Sequence, residues 1–146
     1  MAFVVSLYNN FIEDVIRGNI NLATHTFKAA LVYGYTFDAT HSDFSAITGK
    51  LSTGNGYTAP GKNLANITVS FTSGKTKWDA DDIIWTASGG TIGPATGVVI
   101  YSDTSTVPAA DRLCFYGDFG AEVSALDGKD LFIALGTLGL VSIYKP

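Results

Sequence analysis

The stretch KWDADDIIWTASGGTIGPATGVVIYSD, residues 77–103, decides how this chain is read. It holds both tryptophans, Trp78 and Trp85, and the run Val98-Val99-Ile100-Tyr101. Consecutive β-branched and aromatic residues make that run the strongest strand candidate in the chain. A Gly-, Thr- and Pro-rich connection, residues 88–97, separates it from Trp85. The pattern predicts two strands, 83–87 and 98–101, paired across that connection, with Trp85 and the apolar run in one core.

Further strands follow on either side. In residues 25–33, Phe27, Ala29, Leu31 and Tyr33 alternate with Thr26, Lys28 and Ala30, a period-2 pattern that predicts a strand. In residues 63–71, Ile67, Val69 and Phe71 alternate with Thr68 and Ser70. Ser73-Gly74 is a turn signal, and a return strand runs from Lys75 to Trp78. Residues 113–119 form another strand, in which Gly117 suggests a bulge. Asp127-Gly128 is a hairpin cue, and residues 131–135 and 138–144 would close the sheet. Residues 34–50 make a long polar loop with a short helical turn at 43–47, and residues 51–61 make a turn or a bulged edge.

One helix is expected, at residues 7–17. Ser6 would cap it, and Gly18 would end it in the left-handed conformation. Leu7, Phe11 and Val15 form its apolar face, with Tyr8, Ile12 and Ile16 beside them. That face docks on the chain's own core or, as the alternative, on a neighbouring subunit. Together these signals give about seven to nine short strands, a mainly β fold. The expectation is one domain over residues 1–146, an antiparallel sandwich or jelly-roll-like barrel with a single short N-terminal helix.

Composition narrows the function. Of the 146 residues, 47% are apolar and only 15% charged, and the formal net charge is −4. Binding of phosphate backbones needs clustered Lys and Arg, and the nine basic residues here are scattered, so a nucleic acid partner is not expected. The lone cysteine, Cys114, can build neither an intrachain disulfide nor a cysteine zinc site. The N-terminus lacks the basic and apolar regions of a secretory signal, which predicts folding in a reducing cytosol. The longest uncharged apolar run, residues 131–141, falls short of the ~20 residues a spanning helix needs, so no membrane association is expected.

Candidate sites are few. Asp79, Asp81 and Asp82 could offer oxygen ligands to Ca²⁺, but their spacing is not that of an EF-hand, and carboxylates that cap a turn are the preferred reading. His25 and His41 lack zinc spacing, and no Gly-x-Ser-x-Gly elbow is present. Gly54-Asn55-Gly56 has no Gly-Lys-Ser/Thr ending for a phosphate loop. Neither catalytic residues nor a cofactor is expected. Tyr33, Tyr35 and Phe37 could form an aromatic ledge for sugar, with Tyr57 nearby in such a reading. A core or interface role is preferred, because interfaces are enriched in aromatics.

The order of these signals resembles a group of small tailed-phage virion proteins. The residues that carry the resemblance are LYNNF (7–11), GNINLATHTFKAAL (18–31), GNGYT (54–58), DADDIIW (79–85) and VIY (99–101). The likeness weakens after Asp118. It implies a non-enzymatic structural protein made in the host bacterial cytoplasm and carried in the virion. Capsid decoration (cementing) is favoured over a tail, baseplate or fibre position. The implied partners are the major capsid protein or other virion proteins, and the implied state is a homo-oligomer, with a trimer favoured. The resemblance transfers no catalytic residue.

Overall fold

The run Val98-Val99-Ile100-Tyr101 is apolar at every position because both faces of its strand are covered. A computed structural model describes residues 4–135 and the backbone of 141–144. In chain order the elements are β1 (Val4–Leu7), α1 (Asn9–Arg17), β2 (Phe27–Val32), β3 (Lys62–Asn63), β4 (Thr68–Thr72) and β5 (Lys75–Asp79). They continue with β6 (Ile83–Thr86), β7 (Ile92–Ser102), β8 (Leu113–Ala125), β9 (Asp130–Ile133) and β10 (Val141–Tyr144). A 3₁₀ turn at Phe44–Ala46 matches the helical turn expected in the long loop. The described strands form a five-stranded sheet, β1-β8-β7-β2-β3, a three-stranded sheet, β10-β5-β4, and a two-stranded sheet, β6-β9. Every pairing is antiparallel. The protein is therefore mainly β and sandwich-like, with one helix near its N-terminus.

The five-stranded sheet divides the core in two. Ala29, Leu31, Val98, Ile100 and Phe115 lie on one face with Phe11 of α1, Trp78 of β5, Trp85 of β6 and Ile133 of β9. Ala30, Val32, Val99, Tyr101, Leu113 and Tyr116 lie on the other. That second face is covered by residues 33–50, which act as a strap. Phe44 stacks on Tyr101 with ring centroids 4.2 Å apart, and Ile47 and Tyr35 join the same cluster. Backbone bonds fasten the strap: Phe44 N–H donates to the Asp111 carbonyl at 2.9 Å, and Leu113 N–H to that of Ser42 at 2.9 Å. A continuous apolar run is the signature of a strand with two buried faces.

Several local expectations change. The segments 83–87 and 98–101 are strands but not partners: β6 pairs with β9, and β7 with β2 and β8. Trp85 shares a core with Val98 and Ile100 only, because Val99 and Tyr101 face the strap. Part of the expected connection, residues 92–97, is the start of β7. Leu7 is a strand residue, and Ser6 is not a cap. The free edge of β8 recruits Val4–Leu7 into the sheet, with Leu7 opposite Phe115. The helix then starts at Asn9, whose N–H finds the Ala39 carbonyl of the strap at 2.9 Å instead of a side-chain cap. It ends as expected at Gly18, in the left-handed conformation with φ 81°. Gly117 pairs regularly with Val98, and β8 is irregular elsewhere: at Cys114, between Leu113 opposite Tyr101 and Phe115 opposite Ile100, and again between Asp118 opposite Gly97 and Val123 opposite Ala95. The expected strand 63–71 is split into β3 and β4, with Asn66 between them at φ 50°. Of the last expected strand, residues 138–140 lie outside the described residues.

Candidate functional site

One hairpin of the described surface carries an exposed apolar stripe. β4 and β5 form a hairpin closed by Ser73 and Gly74, both at positive φ (52° and 76°), with Thr72 opposite Lys75. Two residues at positive φ give the turn whose twist matches the flanking strands. Trp78 anchors the hairpin in the body. Its indole lies 4.8 Å edge-on from Phe27, and its Nε1–H donates to the Leu22 carbonyl at 3.2 Å. Val69 is opposite Trp78 and Phe71 opposite Thr76, so Val69 and Phe71 share the face that Trp78 buries. Ile67 packs against the core, Val69 is 48% exposed and Phe71 67% exposed. The apolar stripe thus runs off the end of its own core.

The interface candidates separate. Phe11 is buried and Val15 packs partly against the core, so the helix docks on its own chain, while Ile12 and Ile16 stay exposed. Leu7 is exposed on the edge strand β1, beside Val4 and Val5. The aromatic ledge does not exist as a unit. Tyr35 is buried, and Phe37 packs against Tyr8 and Tyr116 at 5.1 and 5.9 Å. Only Tyr33 faces outward, with its hydroxyl donating to Glu122 at 2.9 Å. Tyr57 is buried, and its oxygen accepts the Leu31 N–H at 3.1 Å.

The three aspartates turn to different partners. Asp79 pairs with Lys77 at 2.8 Å and accepts the Ala80 N–H. Asp81 accepts from the Asn66 amide at 2.6 Å, and Asp82 from the Leu135 N–H at 2.8 Å. Asp81 and Asp82 fasten the segment between β5 and β6 to neighbouring chain, while the contacts of Asp79 stay within its own strand and the residue that follows. Among the described residues no group of three His, Cys, Asp or Glu is placed to hold a metal.

His25 Nδ1 lies 3.0 Å from Ser102 Oγ, a serine–histidine contact that sequence alone did not reveal. Ser102 is fully buried and its oxygen also accepts the Ser105 N–H, which makes it a structural hydroxyl rather than a presented nucleophile. The Cys114 thiol is fully buried too, and burial raises its pKa well above the ordinary value, so it is an inert small hydrophobe. Asp14 and Arg112, also missed in the sequence, form a buried ion pair at 2.8 Å. Burial of Asp14 works against its charged form, but hydrogen bonds from Arg112, Asn10 and Asn19 outweigh it and hold the carboxyl below its usual range. Val107, Pro108 and Arg17 complete an open groove of about 700 Å³ over this pair.

The fold and this surface define a class: an antiparallel, sandwich-like β protein with an exposed apolar hairpin strand. No family model matches the chain, and neither the curated proteins nor the solved structures compared with it include a match. Among the described residues no helix is long and apolar enough to cross a membrane.

Proposed function

We propose that this chain is a non-enzymatic structural protein of a tailed-phage virion, which decorates and cements the capsid as a homo-oligomer bound to the major capsid protein. The observation that carries the reading is the β4–β5 hairpin, which presents Val69 and Phe71 beyond the core that anchors it. Apolar surface that its own chain leaves uncovered is what an assembly component offers its neighbours. The sequence resemblance supplies the virion context. A decorating protein stabilises a shell because it binds only the assembled state. Tyr35 and Tyr57 are buried and Phe37 is partly buried against the strap-face cluster, which gives no support to a sugar-binding ledge.

Locating the chain in a reconstruction of an intact virion tests the proposal. Density at capsomer junctions on the head is expected. Density on the tail, baseplate or fibres would keep the structural class and move the site. Absence from the virion would overturn both.

A further inference from the structure

We propose that β4 is a self-recognition edge: two copies of the chain pair their β4 strands antiparallel about a two-fold axis through Ser70. The pairing joins two three-stranded sheets into one six-stranded sheet. It does not rest on the virion reading, and it sets a two-fold contact where the resemblance implied a three-fold one.

The first support is the state of the edge. All five residues of β4 are exposed, β5 lies along one side, and no strand lies along the other among the described residues. Exposed edges are normally protected by brevity, charge, proline or a bulge. The edge strand β3 shows such protection: it is two residues long, begins with Lys62 and follows Pro60. β4 reads Thr68-Val69-Ser70-Phe71-Thr72, without charge, proline or glycine, and its register with β5 is unbroken. Such an edge is a template for another strand.

The second support is that the sequence of β4 complements itself. A two-fold axis through Ser70 sets Thr68 opposite the partner's Thr72, Val69 opposite its Phe71, and Ser70 opposite itself. This register alone pairs all five residues. Aromatic–β-branched pairs across antiparallel strands are favourable, and here one forms twice by symmetry. Both lie on the face shared with Trp78, so two overhanging stripes become one continuous strip.

Charge on the opposite face does not bar the pairing, because the charged residues of the two copies lie three interstrand spacings, ~14 Å, apart, beyond the ~8–10 Å Debye length. Within one copy Thr68 is opposite Asp79 and Thr72 opposite Lys75. The two-fold register extends each row across the new contact, so Asp79 of one copy shares a row with Lys75 of the other, twice. Lys77, near the axis, already pairs with Asp79 of its own chain at 2.8 Å. A contact this short sits below the ~1,200 Å² of stable interfaces and is weak between free molecules. It strengthens where many copies are held side by side on one surface.

Sedimentation of the wild-type chain and site-specific cross-linking test the proposal. At ~100 µM, on the order of the Kd of a weak contact, wild type should sediment as a monomer–dimer mixture. Phe71→Asp should be monomeric with an unchanged circular dichroism spectrum. Residues directly opposite in an antiparallel pair have Cα atoms ~4.5–5.5 Å apart, within disulfide reach. Ser70→Cys should therefore cross-link to itself with copper phenanthroline as oxidant. Thr68→Cys and Thr72→Cys should cross-link only when mixed. A monomeric wild type at that concentration, a dimer retained in Phe71→Asp, a trimer without the Ser70→Cys cross-link, or Thr72→Cys linking to itself would each overturn the two-fold pairing.

Discussion

Two strands of this chain are rich in β-branched and aromatic residues and meet opposite surroundings. β7 carries Val98-Val99-Ile100-Tyr101, with every side chain buried. β4 carries Val69 and Phe71, both exposed. Around β7 the chain supplies two covers, the layer of α1, Trp78, Trp85 and Ile133 on one face and the strap of residues 33–50 on the other. Around β4, among the described residues, it supplies one neighbouring strand, and the core ends at Trp78. An apolar pattern reports which face wants cover. Whether the same chain provides that cover depends on where the second layer stops.

If stability resides in the body and association in the hairpin, equal deletions should have unequal effects. The largest losses are expected in the body. Phe11→Ala removes a fully buried ring from beside Trp78, whose centroid lies 6.1 Å away, and should cost ~3–5 kcal/mol. Asp14→Asn strands the Arg112 guanidinium, which is only 10% exposed, and breaking a buried pair costs about as much, ~3–5 kcal/mol. Urea unfolding of each variant measures both, and losses below ~1 kcal/mol would show that the body is not where the stability lies.

The Asp14 pair also gives an acid limb with a definite sign. Its folded pKa lies below the unfolded value of ~3.9. The unfolded chain therefore takes up the proton first as pH falls. The contribution of Asp14 is complete above about pH 5 and is lost as pH drops through ~4 toward the folded pKa. Unfolding free energy measured between pH 6 and 3 should fall less steeply in Asp14→Asn than in wild type.

Gly97 offers an intermediate effect. It lies in β7 where a Cβ would run into the ring of Tyr116, and that ring is nearly parallel to Phe37, with an interplanar angle of 11°. Gly97→Ala must shift the Tyr116 ring within the cluster beneath the strap and should cost ~1–3 kcal/mol, the usual range for overpacking. Thermal melting checks it, and a stability equal to wild type would show that the strap face yields.

The same contrast explains what the sequence could and could not reveal. Period-2 alternation located β2 and β4, the continuous run located the heart of β7, and Ser73-Gly74 located the hairpin turn. These signals are local, fixed by the pleat and by backbone sterics. Pairing partners are not local. β6 finds β9 far along the chain, and β8 offers an edge that draws Leu7 out of the expected helix. The ion pair of Asp14 and Arg112 joins residues 98 positions apart, and Asp14 alone reads as an ordinary polar position on an amphipathic helix. Tyr35 and Phe37 sit in a polar loop, and no period could tell that this loop folds back as the cover of a sheet. The candidate surface was half legible. The stripe of Ile67, Val69 and Phe71 was visible, but the end of the core beneath it is a fact of packing.

The smallest expected effect tests the comparison most sharply, because it sets one phenyl ring against another. Phe71→Ser removes as large a side chain as Phe11→Ala does. Phe71 is 67% exposed where Phe11 is fully buried, so its loss should change the unfolding free energy of the isolated chain by no more than ~0.5 kcal/mol. The measurement belongs at concentrations low enough to keep the wild type monomeric, since self-association would otherwise add to its apparent stability. The dependence on urea should also stay unchanged, because little of this ring is buried on folding. Circular dichroism during urea titration of the two variants side by side gives the answer. A loss of several kcal/mol in dilute Phe71→Ser would mean that the hairpin lies back on its own body. In that case β4 would be a second β7, its face covered from within the chain, and the edge would not be available to another copy.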